Sequence, residues 1–160
     1  LSIRRPAVRR YREGAIPRIL PARTQESMMP RQIFVNLPVK DLDASVKFFT
    51  ALGFAFNPQF TDENATSMIV ADDIFVMLLV EPYFRSFIDK PLADAHAQTE
   101  VLVCLSCDSD AEVDDLVAKA VAAGGKAHRT PQDHGFMYGH GFEDPDGHIW
   151  ELVHMRELPA

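Results

Sequence analysis

The sequence predicts a mixed α+β domain made of two tandem βαβββ modules. One observation carries most of this. After Arg31 the chain twice repeats a strand, a capped helix, a glycine stop and three further strands. The helix-ending glycines, Gly53 and Gly124, lie 71 residues apart. A second observation bounds the answer: 160 residues, 47% of them hydrophobic, suffice for one core.

The first half opens with a strand over residues 32–39. Asp41 or Asp43 then caps a helix that runs through Leu52. Leu42, Val46, Phe49 and Leu52 fall on one helical face, and Gly53 is placed to end the helix. Strands follow at about 54–59, 66–71 and 74–80, separated by Asn57-Pro58 and Asp72-Asp73. The second half opens with a strand over 101–107. Asp108 or Ser109 caps the next helix, whose apolar stripe is Val113, Leu116, Val117, Ala120 and Val121. Gly124-Gly125 stop it, and strands follow at about 126–129, 136–142 and 148–155. Module one thus spans 31–80 and module two 101–156, within a single domain over 31–156. A linker, 81–100, joins them, and 157–160 form a tail. The linker carries Pro82, Pro91 and the aromatics Tyr83, Phe84 and Phe87. Its length suits a lid or a contact between subunits.

Charge is unevenly placed. Residues 1–31 hold eight Arg and two Glu; the remainder holds eight basic and 21 acidic side chains, a net of −13. An acidic body argues against nucleic acid or an anionic membrane as partner. No apolar run approaches the roughly 20 residues needed to span a bilayer. The basic leader, 1–30, has no apolar centre of the kind a secretory signal needs. It reads as an extension outside the domain, as an organelle transit peptide, or as a nucleic-acid arm; Pro6, Pro17 and Pro21 weigh against a long amphipathic helix there. The two cysteines, Cys104 and Cys107, stand at i and i+3 on a predicted strand and so face opposite ways. They read as core residues in a reducing, cytoplasmic setting.

The chemically densest segment is Phe142 to Leu152. Pro145-Asp146-Gly147 forms a tight turn, with Asp146 bonding its own backbone. In the strand that follows, Glu151 shares a face with Ile149 and Val153, opposite Trp150, Leu152 and His154. A carboxylate among apolar neighbours is costly to bury alone. Either it is hydrogen-bonded by neighbours, with Asn36 a candidate donor, or it serves a ligand or acid–base role. Upstream, Gly135, Gly139 and Gly141 permit close approach, and His134 lies in a loop with a pKa range suited to proton transfer. His148 reads as part of the turn, and His96 and His128 as surface residues.

These segments resemble the vicinal oxygen chelate superfamily, which includes glyoxalase I, the bleomycin- and fosfomycin-resistance proteins and the extradiol dioxygenases. The resemblance rests on the turn before Glu151 and on 33–42 (IFVNLPVKDL), 56–65 (FNPQFTDENA) and 131–139 (PQDHGFMYG). It covers about residues 31–156 and is greatest to small bacterial proteins described as predicted lactoylglutathione lyases. It implies a curved sheet around a cavity, a homodimer, and four metal-ligand positions. Those positions fall on Phe34, Met77 or an immediate neighbour, Leu102 and Glu151, and only Glu151 carries a donor. The resemblance also places Gly139 and Gly141 on the cavity side, with Tyr138 and His140 toward the helices unless a bulge re-aims them.

The implied cavity residues are Phe34, Asn36, Met77, Leu102, Tyr138, Gly139, Gly141 and Glu151, with Glu151 and His134 as candidate catalytic groups. The expected function is binding of a small organic molecule without a metal or other cofactor, as in bleomycin-resistance proteins. One alternative is a metal-dependent lyase, isomerase or dioxygenase with a rearranged site drawing on Asn36 or the histidines. Another is a metal-free acid–base enzyme using Glu151.

Overall fold

The computed structural model describes residues 31–156. The reading of the leader as an extension that adds little to folding lies outside them.

Each module begins as the sequence indicates. Strand β1 (Ile33–Val39) leads into helix α1 (Leu42–Ala51), capped by Asp41, whose side chain accepts from the Ala44 amide at 2.9 Å. Strands β2 (Ala55–Asn57), β3 (Ala65–Ala71) and β4 (Ile74–Val80) complete a four-stranded sheet in the order β1-β4-β3-β2. The linker opens with a short helix α2 (Glu81–Arg85). In the second module β5 (Leu102–Ser106) precedes α3 (Asp110–Ala122), capped by Ser109 accepting from the Glu112 amide. Strands β6 (Lys126–Ala127), β7 (Gln132–Asp133), β8 (Met137–Glu143) and β9 (Ile149–Met155) follow, giving the order β5-β9-β8-β6 with β7 paired to β8. Gly53 and Gly124 end the two helices at φ of 102° and 106°, a conformation that costs any residue with a Cβ.

One expectation needs correction. The modules do not share a continuous curved sheet; β1 and β5 belong to separate sheets. Each is the outer strand of its own sheet and pairs in parallel with its module's last strand, β1 with β4 and β5 with β9. The predicted strand at 126–129 shortens to β6, and β7 is a further strand that the sequence did not indicate.

The two sheets share one core. Phe48 and Phe49 of α1 pack on Phe142 and Trp150 of module two, with ring centroids 6.0 Å apart for Phe48–Phe142 and 5.0 Å for Phe49–Trp150. Val113, Val117 and Ala120 of α3 close the other side. Each large apolar side chain buried there contributes about 1.5–3 kcal/mol. The face of each sheet away from this core is open. Phe34, Leu102 and Met155 are 50%, 51% and 59% exposed.

The β8–β9 turn binds the modules together. Asp144, buried, accepts from the amides of Asp146 and His148 and from the Trp150 indole N–H at 3.0, 3.0 and 3.1 Å. Asp146 does not bond its own backbone as the sequence suggested. Its carboxylate reaches module one, accepting from the Lys40 amide at 2.9 Å and the Ser45 hydroxyl at 3.2 Å. The buried His148 ring spans Glu100 at 2.5 Å through Nδ1 and the Pro38 carbonyl at 2.7 Å through Nε2. A carbonyl only accepts, so Nε2 carries a proton. Burial disfavours the charged ring, but Asp144, Glu100 and Pro38 outweigh it and raise the His148 pKa above its usual value.

A raised histidine pKa gives stability that is complete below the unfolded value of about 6.5 and disappears as pH rises through the folded value. Urea denaturation should therefore show wild-type stability falling above about pH 6.5. His148→Gln should be less stable by roughly 3 kcal/mol at pH 6, since Glu100 loses its buried partner, and should lose most of this slope.

Candidate functional site

A trough crosses the open face of the module-two sheet, and its floor is set by register. Glu151 pairs with Gly141 and Val153 with Gly139, so two glycines lie beside the β9 row. On the far side the chain continues past β6, and the His128 amide donates to the Gly141 carbonyl at 2.8 Å. Register thus puts His128 on the same face as Glu151, two strand spacings away, about 10 Å. The glycines between leave a gap of about 460 Å³, lined by His128, Arg129, Gln132, His134, Met137 and Glu151 among others.

The outer wall owes its shape to a bulge. Ala127 pairs with Phe142, and the next pair is Gln132 with Gly139. Four residues, 128–131, thus oppose two, 140 and 141, and the extra length bends the strand. Arg129 takes up the distortion at φ 64°, the single positive φ among the described non-glycine residues. Behind it, His140 Nε2 lies 3.3 Å from the Arg129 carbonyl. His140 Nδ1 is buried without a hydrogen bond, 3.8 Å from the Asp114 carboxylate. Farther along, Arg156 binds both Asp110 and Asp133, which anchors the loop carrying His134.

Among the described residues, no side chain hydrogen bonds or ion-pairs with the Glu151 carboxylate. Asn36 is not its donor; its amide points to the Phe34 carbonyl at 3.5 Å. Of the alternatives the sequence left open, the hydrogen bond from Asn36 is therefore not made. The neighbour of Glu151 across the β5–β9 ladder is Cys104, which is exposed rather than in the core as expected. Burial and the Glu151 charge raise the Cys104 pKa, so it stands as a neutral thiol. Cys107 is buried.

The predicted site residues divide. Glu151, Gly139, Gly141 and His134 come together in the trough. Leu102 lies on the same sheet, exposed and paired with Ile149. Phe34, Asn36 and Met77 do not join them: they sit on the module-one sheet, Phe34 stacked on Phe75 at 5.1 Å and Asn36 paired with Met77. The separation of the two sheets is the reason. Tyr138 also leaves the set. It faces α3, donating to Asp114 at 2.8 Å, and that bond raises its pKa. His128, Arg129 and Gln132 line the trough although the sequence reading passed over them. The signal was Arg129-Thr130-Pro131, a break at the end of a predicted strand.

The residues present do not fit the metal site that the resemblance implies. Phe, Met and Leu offer no hard oxygen or imidazole donor at three of the four positions. Among the described residues, no group of three or more His, Cys, Asp or Glu side chains is arranged to hold an ion.

Comparison with known proteins agrees with this architecture. The family profile described as Glyoxalase/Bleomycin resistance protein/Dioxygenase superfamily matches residues 31–152. A hypothetical protein, SA1046 from S. aureus, is 29% identical, with a TM-score of 0.67 over 79% of this chain and 94% of that one. The fosfomycin resistance protein FosX from Listeria monocytogenes has a TM-score of 0.59 at 18% identity, covering 83% of this chain and 97% of its own. A bleomycin-binding protein complexed with bleomycin has a TM-score of 0.56 at 20% identity, covering 79% of this chain and 100% of its own. No curated protein sequence matches the chain.

Proposed function

The chain belongs to the glyoxalase/bleomycin resistance protein/dioxygenase superfamily, and from that premise we propose that it binds a small organic molecule in the Glu151 trough without the family's usual metal. One observation carries the reading: the single retained donor, Glu151, has no side-chain partner among the described residues and lies beside a glycine floor, while Phe34, Met77 and Leu102 supply no ligand. An uncommitted carboxylate in a partly enclosed trough is a hydrogen-bond acceptor awaiting a donor. The bleomycin-binding protein complexed with bleomycin, which shares the fold, supports a binding role. His128 and His134 line the same trough. They favour, as a second reading, acid–base chemistry with Glu151 as base and His134 as proton donor.

We also propose a homodimer. Phe34, Leu102 and Met155 are exposed on the open faces of the two sheets, and a second copy would cover them. Free cysteines suit a reducing cytoplasm. Among the described residues no helix is long and apolar enough to cross a membrane.

Amide chemical-shift mapping with a mixed small-fragment library tests the binding site. Shifts should cluster at residues 128–141 and 149–153 and be absent in Gly139→Leu. That side chain fills the floor, and its Cβ would meet only ordinary contacts, the nearest at 3.6 Å. Shifts confined to other regions would remove the trough from the account. Light scattering at micromolar concentration should return twice the 17.9 kDa chain mass; a monomer throughout that range would contradict the dimer.

A further inference from the structure

The two walls of the trough carry opposite chemistry. On the β9 side, Glu151 can only accept, and no protein group among the described residues engages it. On the bulge side, Arg129 is exposed and enters no ion pair among the described residues, with His128 and His134 alongside. A further carboxylate, Glu143, lies 3.5 Å from His128 Nδ1. A simple anion would meet Arg129 but face Glu151. A simple cation would meet Glu151 but face Arg129. Each would leave one wall unmatched and pay for it in repulsion.

A molecule carrying both charges avoids the conflict. We infer that the trough takes a small zwitterion, an amino-carboxylate whose ammonium group meets Glu151 and whose carboxylate meets the Arg129 bulge. This rests on the reading of the trough as the binding site and narrows it to a ligand class. The geometry suits a short spacer. The walls stand two strand spacings apart, about 10 Å between Cα positions, and side chains from both reach inward. The spacer crosses Gly139 and Gly141, where nothing projects, between Met137 and Val153. The bulge bears on the wall rather than on the ligand's charges. The one strained non-glycine backbone among the described residues is at Arg129. Strain of this kind costs about 1–3 kcal/mol and persists where the surroundings enforce it, commonly at ligand clamps. Here the register slip and the His140 contact hold it at the trough wall.

The test uses the full chain and probes matched by carbon skeleton: 4-aminobutyrate, butyrate and butylamine, with 6-aminohexanoate to vary the span. Chemical-shift titration should show at least one amino-carboxylate binding tenfold or more tightly than butyrate and butylamine, with shifts at residues 128–132 and 151–153. Glu151→Gln should remove the advantage over butyrate, and Arg129→Gln the advantage over butylamine. The amide spectrum of each variant reports whether it is folded. Equal binding of butylamine and the amino-carboxylates would overturn the zwitterion while leaving the trough as a site. Silence from all four probes would also overturn it. The broader reading fails only when the fragment library leaves the trough silent as well.

Discussion

A buried carboxylate, Asp144, organises this structure. It is removed from water and satisfied by three donors, two backbone amides and the Trp150 indole. Burial still dominates its titration and raises its pKa. These bonds shape the β8–β9 turn and set the phase in which β9 leaves it. Trp150 and Leu152 then enter the core, and period-2 alternation sends Glu151 outward. The same turn presents Asp146 and His148 to module one and to Glu100 at the linker's end. One turn therefore joins the two halves and aims the carboxylate on which the proposed function rests. A one-residue slip in β9 would bury Glu151 and expose Trp150, which the core does not tolerate.

The site's chemistry comes from what is left out as much as from what is present. Gly139 and Gly141 omit side chains where a strand would normally project them, and the bulge at 128–131 lifts the far wall. Between them stands Glu151, without a side-chain partner among the described residues. In a relative with a full donor set, a carboxylate at this strand position would share a cation. Here the positions that the resemblance implies, Phe34, Met77 and Leu102, are apolar.

Much of this was legible in the sequence because it depends on local rules. Asp41 and Ser109 as caps, Gly53 and Gly124 as stops, and alternation along β9 each follow from a few adjacent residues. The face shared by Gly139, Gly141 and Glu151 was instead what the family resemblance implied, and the β8–β9 register places them together. What escaped depends on distant pairing. His128 read as a surface residue because its relation to Glu151 arises through β8, and a two-residue slip decides where the wall lies. Cys104 read as core because its strand is apolar, yet its face of the sheet is open. Phe34, Asn36 and Met77 were grouped with Glu151 on the expectation of one continuous sheet, and the lack of a β1–β5 ladder separates them. Tyr138 shows the opposite case. Alternation alone turns it toward α3, and Asp114 receives its hydroxyl.

The central claim is that Glu151 is an uncommitted carboxylate rather than the remnant of a working metal centre. Elemental analysis after dialysis against Zn, Ni, Mn and Fe in turn, followed by removal of free ion, measures this directly. The account predicts well under one equivalent of each metal per chain, with no difference between wild type and Glu151→Gln. One equivalent held by wild type and lost in Glu151→Gln would contradict it.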